Sequence, residues 1–206
     1  MSQIALPLAS TSSGPARVLI GNANAHVAEA LGQPGTWPFR TAVLLGPPRS
    51  GKSLLARWFA EAFARELGGE AIDDAHRLPE AELFHRWNRA QEEGTPLLLV
   101  GGEPPWDIAL PDLKSRLGAA LQLEIGAPDD AMAAELLHAF AEQRGLPLGA
   151  EAAVYLVPRT GRSFADLEKL VAAIDRLSLE RKAPATQSVW RAALEAVHGP
   201  EEPRLL

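Results

Sequence analysis

Apolar residues along this chain follow two rhythms, and the change from one to the other divides it. Up to residue 127, short apolar runs alternate with stretches that repeat every three or four residues. The runs are Thr41-Ala42-Val43-Leu44-Leu45, Glu70-Ala71-Ile72, Leu97-Leu98-Leu99-Val100 and Leu121-Gln122-Leu123-Glu124-Ile125, and they predict strands. Between them, Leu54, Leu55, Trp58, Phe59, Ala62, Phe63 and Leu67 recur at helical spacing with Arg57, Glu61 and Arg65 on the opposite side. A second such stretch, 80–93, carries Leu83, Phe84, Trp87 and Ala90 and ends at Gly94. Strand and helix in alternation predict a parallel sheet covered by helices. From Pro128 onward the strand rhythm stops, and helices are predicted over 129–144, 150–157, 163–181 and 188–197. The third opens on Ser163 and Asp166, a variant of the capping box, and would bury Phe164, Leu167, Leu170, Val171, Ile174 and Leu177. The pattern therefore predicts a flexible tail at 1–15, an α/β unit at 16–127, an all-helical unit at 128–199 and a short tail at 200–206.

Between the first strand and its helix lies Gly46-Pro47-Pro48-Arg49-Ser50-Gly51-Lys52-Ser53, which fits G-x-x-x-x-G-K-[ST]. That spacing suits a phosphate. Backbone N–H groups released by glycines wrap the β-phosphate at a helix N-terminus, while Lys52 brings charge and Ser53 a hydroxyl for Mg²⁺. Strand, loop and helix stand in the required order, so ADP or ATP with Mg²⁺ is the expected ligand, contacted by residues 46–53 and Leu54. Asp73 and Asp74 follow the second strand, where a nucleotide-binding domain of this kind places a carboxylate holding Mg²⁺ through water and, beside it, one that orients attacking water. Asp73 is the metal candidate, with Ser53, and Asp74 the candidate base.

Composition narrows this reading. The 206 residues suffice for one α/β domain and a small appendage. Twenty basic against 26 acidic residues leave a charge of −6, which disfavours DNA binding by the chain alone. The absence of cysteine excludes disulfides and thiolate metal sites. No apolar run approaches a membrane span and no signal peptide is visible, so the cytoplasm is expected. The five histidines, His26, His76, His85, His138 and His198, lack metal-ligand spacing and read as surface or core residues. Of the tryptophans, Trp106 in Pro104-Pro105-Trp106 is the candidate for a contact site. Leu110-Pro111-Asp112-Leu113-Lys114-Ser115-Arg116-Leu117 lies between two predicted strands with a guanidinium late in the loop, placed to reach a neighbouring molecule's γ-phosphate. The tail Gln3-Ile4-Ala5-Leu6-Pro7-Leu8 sets a glutamine and apolar residues at fixed offsets, suiting a linear peptide that fills a partner's groove through Gln3, Leu6 and Leu8.

Together these segments resemble the DnaA-related branch of AAA+ proteins, most closely the Hda regulators. The likeness rests on the tail, on Leu19-Ile20-Gly21-Asn22-Ala23-Asn24, on the phosphate loop, on Asp73-Asp74, on Phe84-His85-Arg86-Trp87-Asn88-Arg89 and on Leu110 to Leu117. The resemblance implies that Ile20, Gly21 and Asn24 pack on adenine, that the tail binds the sliding clamp (the polymerase beta subunit), and that Arg116 acts as a finger in trans on a DnaA-type initiator. The chain would then be a nucleotide-binding regulator that limits re-initiation of replication. An initiator would continue into a DNA-binding domain after the last helix. Three departures bear on this. Only 21 positions separate Lys52 from Asp73, implying a deleted edge strand and a sheet of about four. Gly101-Gly102 stand where AAA+ proteins place a polar sensor of the γ-phosphate. Ala165 stands where the family has a sensor arginine, leaving Arg162 or Arg159 as substitutes. Weak hydrolysis by the chain itself follows, with bound nucleotide, ADP in particular, locking the two units. The alternatives are a self-acting P-loop ATPase or small-molecule kinase, and an adaptor that binds no nucleotide.

Overall fold

The computed structural model describes residues 18–199, and the chain divides after Gly126 into two compact units. In the first, four parallel strands β1 (Thr41–Leu45), β2 (Glu70–Ile72), β3 (Leu97–Val100) and β4 (Leu121–Glu124) lie in the order β2-β3-β1-β4. Leu97, Leu98, Leu99 and Val100 are all buried, as are Thr41 to Leu44. A strand closed on both faces needs apolar side chains at every position, which is why these two read as unbroken runs. β4, at an edge, alternates instead, with Leu123 inside and Gln122 and Glu124 exposed.

From β1 the chain passes through α2 (Lys52–Leu67) to β2 and returns by α3 (Glu80–Glu93) to β3, which fills the place between β1 and β2. One helix and one three-residue strand occupy the interval between Lys52 and Asp73. The sheet is therefore four-stranded, with β2 at its margin. Glu70 of this short strand takes Arg86 at 2.9 Å and Arg89 at 3.1 Å, and Arg86 also donates to Glu82 at 2.8 Å. Hydrogen bonds to Glu82 and Glu70 hold the Arg86 guanidinium charged, raising its pKa further. Two arginines of the 84–89 segment thus fasten α3 to the edge strand.

Two helices escaped the sequence reading. α1 (Ala25–Leu31) buries only Val27 and Leu31. α4 (Pro111–Ala119) occupies what was expected to be a loop around Arg116. Pro111 sits in its first turn, where a fixed φ and a missing N–H cost nothing, and Leu113 and Leu117, four apart, are its buried face. β4 also stops at Glu124, one residue earlier than expected, although Ile125 still donates its N–H to Leu45 at 2.9 Å.

The second unit is all helical: α5 (Asp130–Gln143), α6 (Ala150–Leu156), α7 (Phe164–Arg181) and α8 (Gln187–His198). Asp129 and Ser163 cap α5 and α7, accepting the N–H groups of Met132 at 2.8 Å and Asp166 at 3.0 Å. Leu137, Leu156, Leu167, Ile174 and Ala193 form its solvent-free centre. Among the described residues no helix is long and apolar enough to cross a membrane.

Candidate nucleotide-binding site

The loop between β1 and α2 has the backbone that a phosphate cradle needs. Arg49 (φ 65°) and Gly51 (φ 89°) are left-handed at the start of α2, the kind of backbone that lets neighbouring N–H groups converge on an anion. Gly46 has no room for a side chain, because a Cβ there would stand 2.9 Å from the Ile125 Cβ and 3.1 Å from its carbonyl oxygen. Its N–H donates to Gly102 at 3.0 Å, tying the loop to the end of β3. The Lys52 ammonium folds over the loop, donating to the carbonyls of Gly46 (2.6 Å) and Pro47 (2.7 Å). Burial lowers its pKa, and Asp73, Glu103 and Asp74 oppose that by favouring the charged form. Ser53 is exposed in the first turn, whereas the Ser50 hydroxyl is buried without a partner. The donor set therefore fits a polyphosphate with Mg²⁺.

Around this loop the expected residues fare differently. Asp73 accepts the Asp74 N–H at 3.0 Å, and Asp74, left-handed at φ 50°, pairs loosely with Arg77 at 3.5 Å on the surface. Val18, the residue before the segment Leu19 to Asn24, lies 3.9 Å from the point where a Gly51 Cβ would be. Asn24, however, is buried and spends its amide on its own turn, donating to Leu19 (2.8 Å) and accepting from Gly21 (2.9 Å). It shapes the segment holding Ile20 and Gly21 and does not present its side chain outward. Trp106 is also reassigned. It packs against the core beside Gly101 and is partly buried.

Gly101 explains the missing sensor. A Cβ there would meet Leu45 Cδ2 at 2.5 Å and Trp106 Cε3 at 3.2 Å. Gly101→Asn should therefore lower stability by roughly 1–3 kcal/mol through overpacking, read as a depressed thermal midpoint; an unchanged midpoint would show that Leu45 and Trp106 yield.

Arg116 sits in the last turn of α4. Its guanidinium carbon lies 4.3 Å from the Phe84 ring centroid and 4.5 Å from that of Trp87, and it donates to the Asn88 side chain. All three partners come from α3. The group is half-buried, and Asn88 is its only hydrogen-bond acceptor among the described residues. Stacking on rings occupies the faces of a guanidinium and leaves its in-plane N–H donors for other acceptors.

Residues 130–187 match the family model described as the lid domain of Hda. Domain III of the replication initiator DnaA from Thermotoga maritima superposes with a TM-score of 0.71 at 15% identity, covering 88% of this chain and 95% of that one. The lid is Hda-like, and the fold is that of DnaA domain III. The same AAA+ fold occurs in the Thermotoga maritima RuvB Holliday junction branch migration motor, at a TM-score of 0.62 and 20% identity over 89% of this chain and 73% of that one. The replication initiator DnaA bound to AMPPCP and single-stranded DNA gives a TM-score of 0.58 at 19% identity, covering 79% of this chain and 65% of that one. An uncharacterised protein of Haemophilus influenzae is 30% identical over 104 residues, 49% of this chain, and the match spans less than half (45%) of that relative's own length.

In the Hda-type lid, the two arginines weighed as sensor substitutes have local partners. Arg162 pairs with Asp130 at 3.1 Å on the surface, and Arg159 stacks 4.3 Å from the Tyr155 ring and donates to the Tyr155 carbonyl at 2.9 Å. Gln3, Leu6 and Leu8 lie outside the described residues. Two groups near the loop were missed by sequence reasoning. Glu103 favours the charged form of Lys52, and His76 lies against Gly102. Both stand just beyond strand ends, β3 and β2, which the order β2-β3-β1 brings side by side.

Proposed function

We propose that this chain is a nucleotide-binding regulator which, held on the sliding clamp through Gln3, Leu6 and Leu8, stimulates ATP hydrolysis by a DnaA-type initiator through Arg116. The observation that carries the reading is the mounting of Arg116. Two ring faces and one amide aim a permanently charged fork while its remaining N–H donors stay unspent. A finger acting in trans needs such preorganisation, since it must meet the charge developing on another molecule's phosphoryl group without first ordering itself. The Hda-type lid and the DnaA-type fold supply the context.

In the chain's own site, the loop 46–53 would hold ADP or ATP, with Ser53 and Asp73 the residues to hold Mg²⁺ and Ile20 and Gly21 lining the base side. The metal would neutralise phosphate charge when bound. Lys52 binds and orients the phosphates. With Gly101-Gly102 at the sensor position and Arg162 paired to Asp130, the nucleotide serves to hold a conformation, more than to turn over. Such a protein works in the cytoplasm and needs no direct sequence-specific DNA contact.

Removing the first eight residues should abolish clamp binding and leave nucleotide affinity unchanged, both measured on one preparation by surface capture on immobilised clamp and by equilibrium dialysis. Retained clamp affinity would remove the tail from the scheme.

A further inference from the structure

The glycines that follow β3 leave a polar contact to the terminal phosphate unassigned, and the side chain lying over Gly102 is an imidazole. A Cβ on Gly102 would stand 3.5 Å from His76 Nε2, 3.7 Å from its Cδ2 and 3.8 Å from its Cε1. The ring edge bearing Nε2 therefore lies where a sensor side chain at position 102 would begin. Gly102 is itself bonded to the first glycine of the phosphate loop, its carbonyl accepting the Gly46 N–H at 3.0 Å. His76, Gly102 and Gly46 thus form a continuous edge of the cradle.

The turn that carries the ring is fixed by backbone. After β2, Asp74 turns left-handed at φ 50° and residues Ala75–Arg77 form a 3₁₀ turn. Ala75 is fully buried, Arg77 N–H donates to the Asp74 carbonyl at 2.9 Å, and Leu78 N–H to the Ala75 carbonyl at 3.1 Å. The imidazole is exposed and has no hydrogen-bond or ion-pair partner among the described residues. A polar ring on a rigid turn, beside the phosphate loop and unspent, suits a ligand contact.

We infer that His76 donates a hydrogen bond to the terminal phosphoryl group of a nucleoside triphosphate bound at 46–53, taking the place of the sensor that Gly101-Gly102 omit and so distinguishing ATP from ADP. This rests on the nucleotide-binding reading of the loop. A hydrogen bond to a charged group corresponds to roughly tenfold or more in affinity. In equilibrium dialysis with Mg²⁺, His76→Ala should weaken ATP about tenfold and leave ADP unchanged, while His76→Gln, which keeps a donor, should recover most of the loss. The exposed ring predicts an unaltered thermal midpoint for both variants. Wild-type binding of both nucleotides, with His76→Ala affecting neither or both equally, would overturn the assignment of His76 alone. A wild-type chain that binds neither nucleotide would remove the phosphate site itself and this inference with it.

Discussion

Replacing Arg116 with alanine should return ATP hydrolysis by a DnaA-type initiator to its unstimulated rate, a loss of about 10³-fold or more on the scale that arginine fingers reach. Arg116→Lys should not rescue it. A lysine has no planar fork to stack between Phe84 and Trp87 while still presenting donors at its edge. Asn88→Ala keeps the charge and both rings but removes the one hydrogen bond that aims the group, so stimulation should fall by a smaller factor, about tenfold by the ordinary worth of a charge-assisted bond. This graded order, with alanine and lysine alike and the Asn88 variant intermediate, separates a finger from an arginine that merely joins α3 to α4. A joint would be read in the melting curve, where losing two ring contacts amounts to about 1–2 kcal/mol. Single-turnover hydrolysis of labelled ATP by the initiator measures the first effect; stimulation surviving intact in Arg116→Ala would place the finger elsewhere.

Lys52→Ala should weaken both ADP and ATP by roughly 10- to 100-fold in equilibrium dialysis, the worth of a charged donor in a partly dry site. Because this ammonium is partly buried, its pKa lies below the ordinary lysine value of 10.5 despite Asp73, Glu103 and Asp74. Raising the pH removes the proton at a lower pH than for an exposed lysine, so nucleotide affinity should begin to decline below the usual lysine range, and the Lys52→Ala variant should lack that decline. A pH profile shared by wild type and variant would remove Lys52 as the group responsible.

The parts of the fold visible in the sequence were those with redundant local signals. β1 and β3 are runs because both their faces are covered, and α7 starts where Ser163 caps it. The missing edge strand was legible from the distance between Lys52 and Asp73, since a chain can fit only so many elements into that interval. α4 was missed because a nine-residue helix shows little periodicity, although Pro111 in its first turn with Leu113 and Leu117 on one face was the available signal. That difference changes the chemistry. On a loop Arg116 would be flexible, whereas on a helix against α3 it is aimed. Trp106 looked like a contact residue in a Pro-rich loop, and only the glycine at 101 makes the space it fills. Asn24 was assigned to the base side from its segment, but its amide is consumed by its own turn. His76 and Glu103 lie 27 positions apart in sequence, and no local pattern relates two residues that only strand order brings to one edge.

The central claim is that this chain acts on another molecule's triphosphate. It is tested most directly by following hydrolysis of ATP prebound to a DnaA-type initiator, with DNA-loaded clamp present, before and after adding the wild-type chain with ADP. The mounting of Arg116 predicts a large acceleration, and the clamp-binding role proposed for Gln3, Leu6 and Leu8 predicts that it requires the clamp. An unchanged rate, from a preparation shown to bind both clamp and nucleotide, would contradict it.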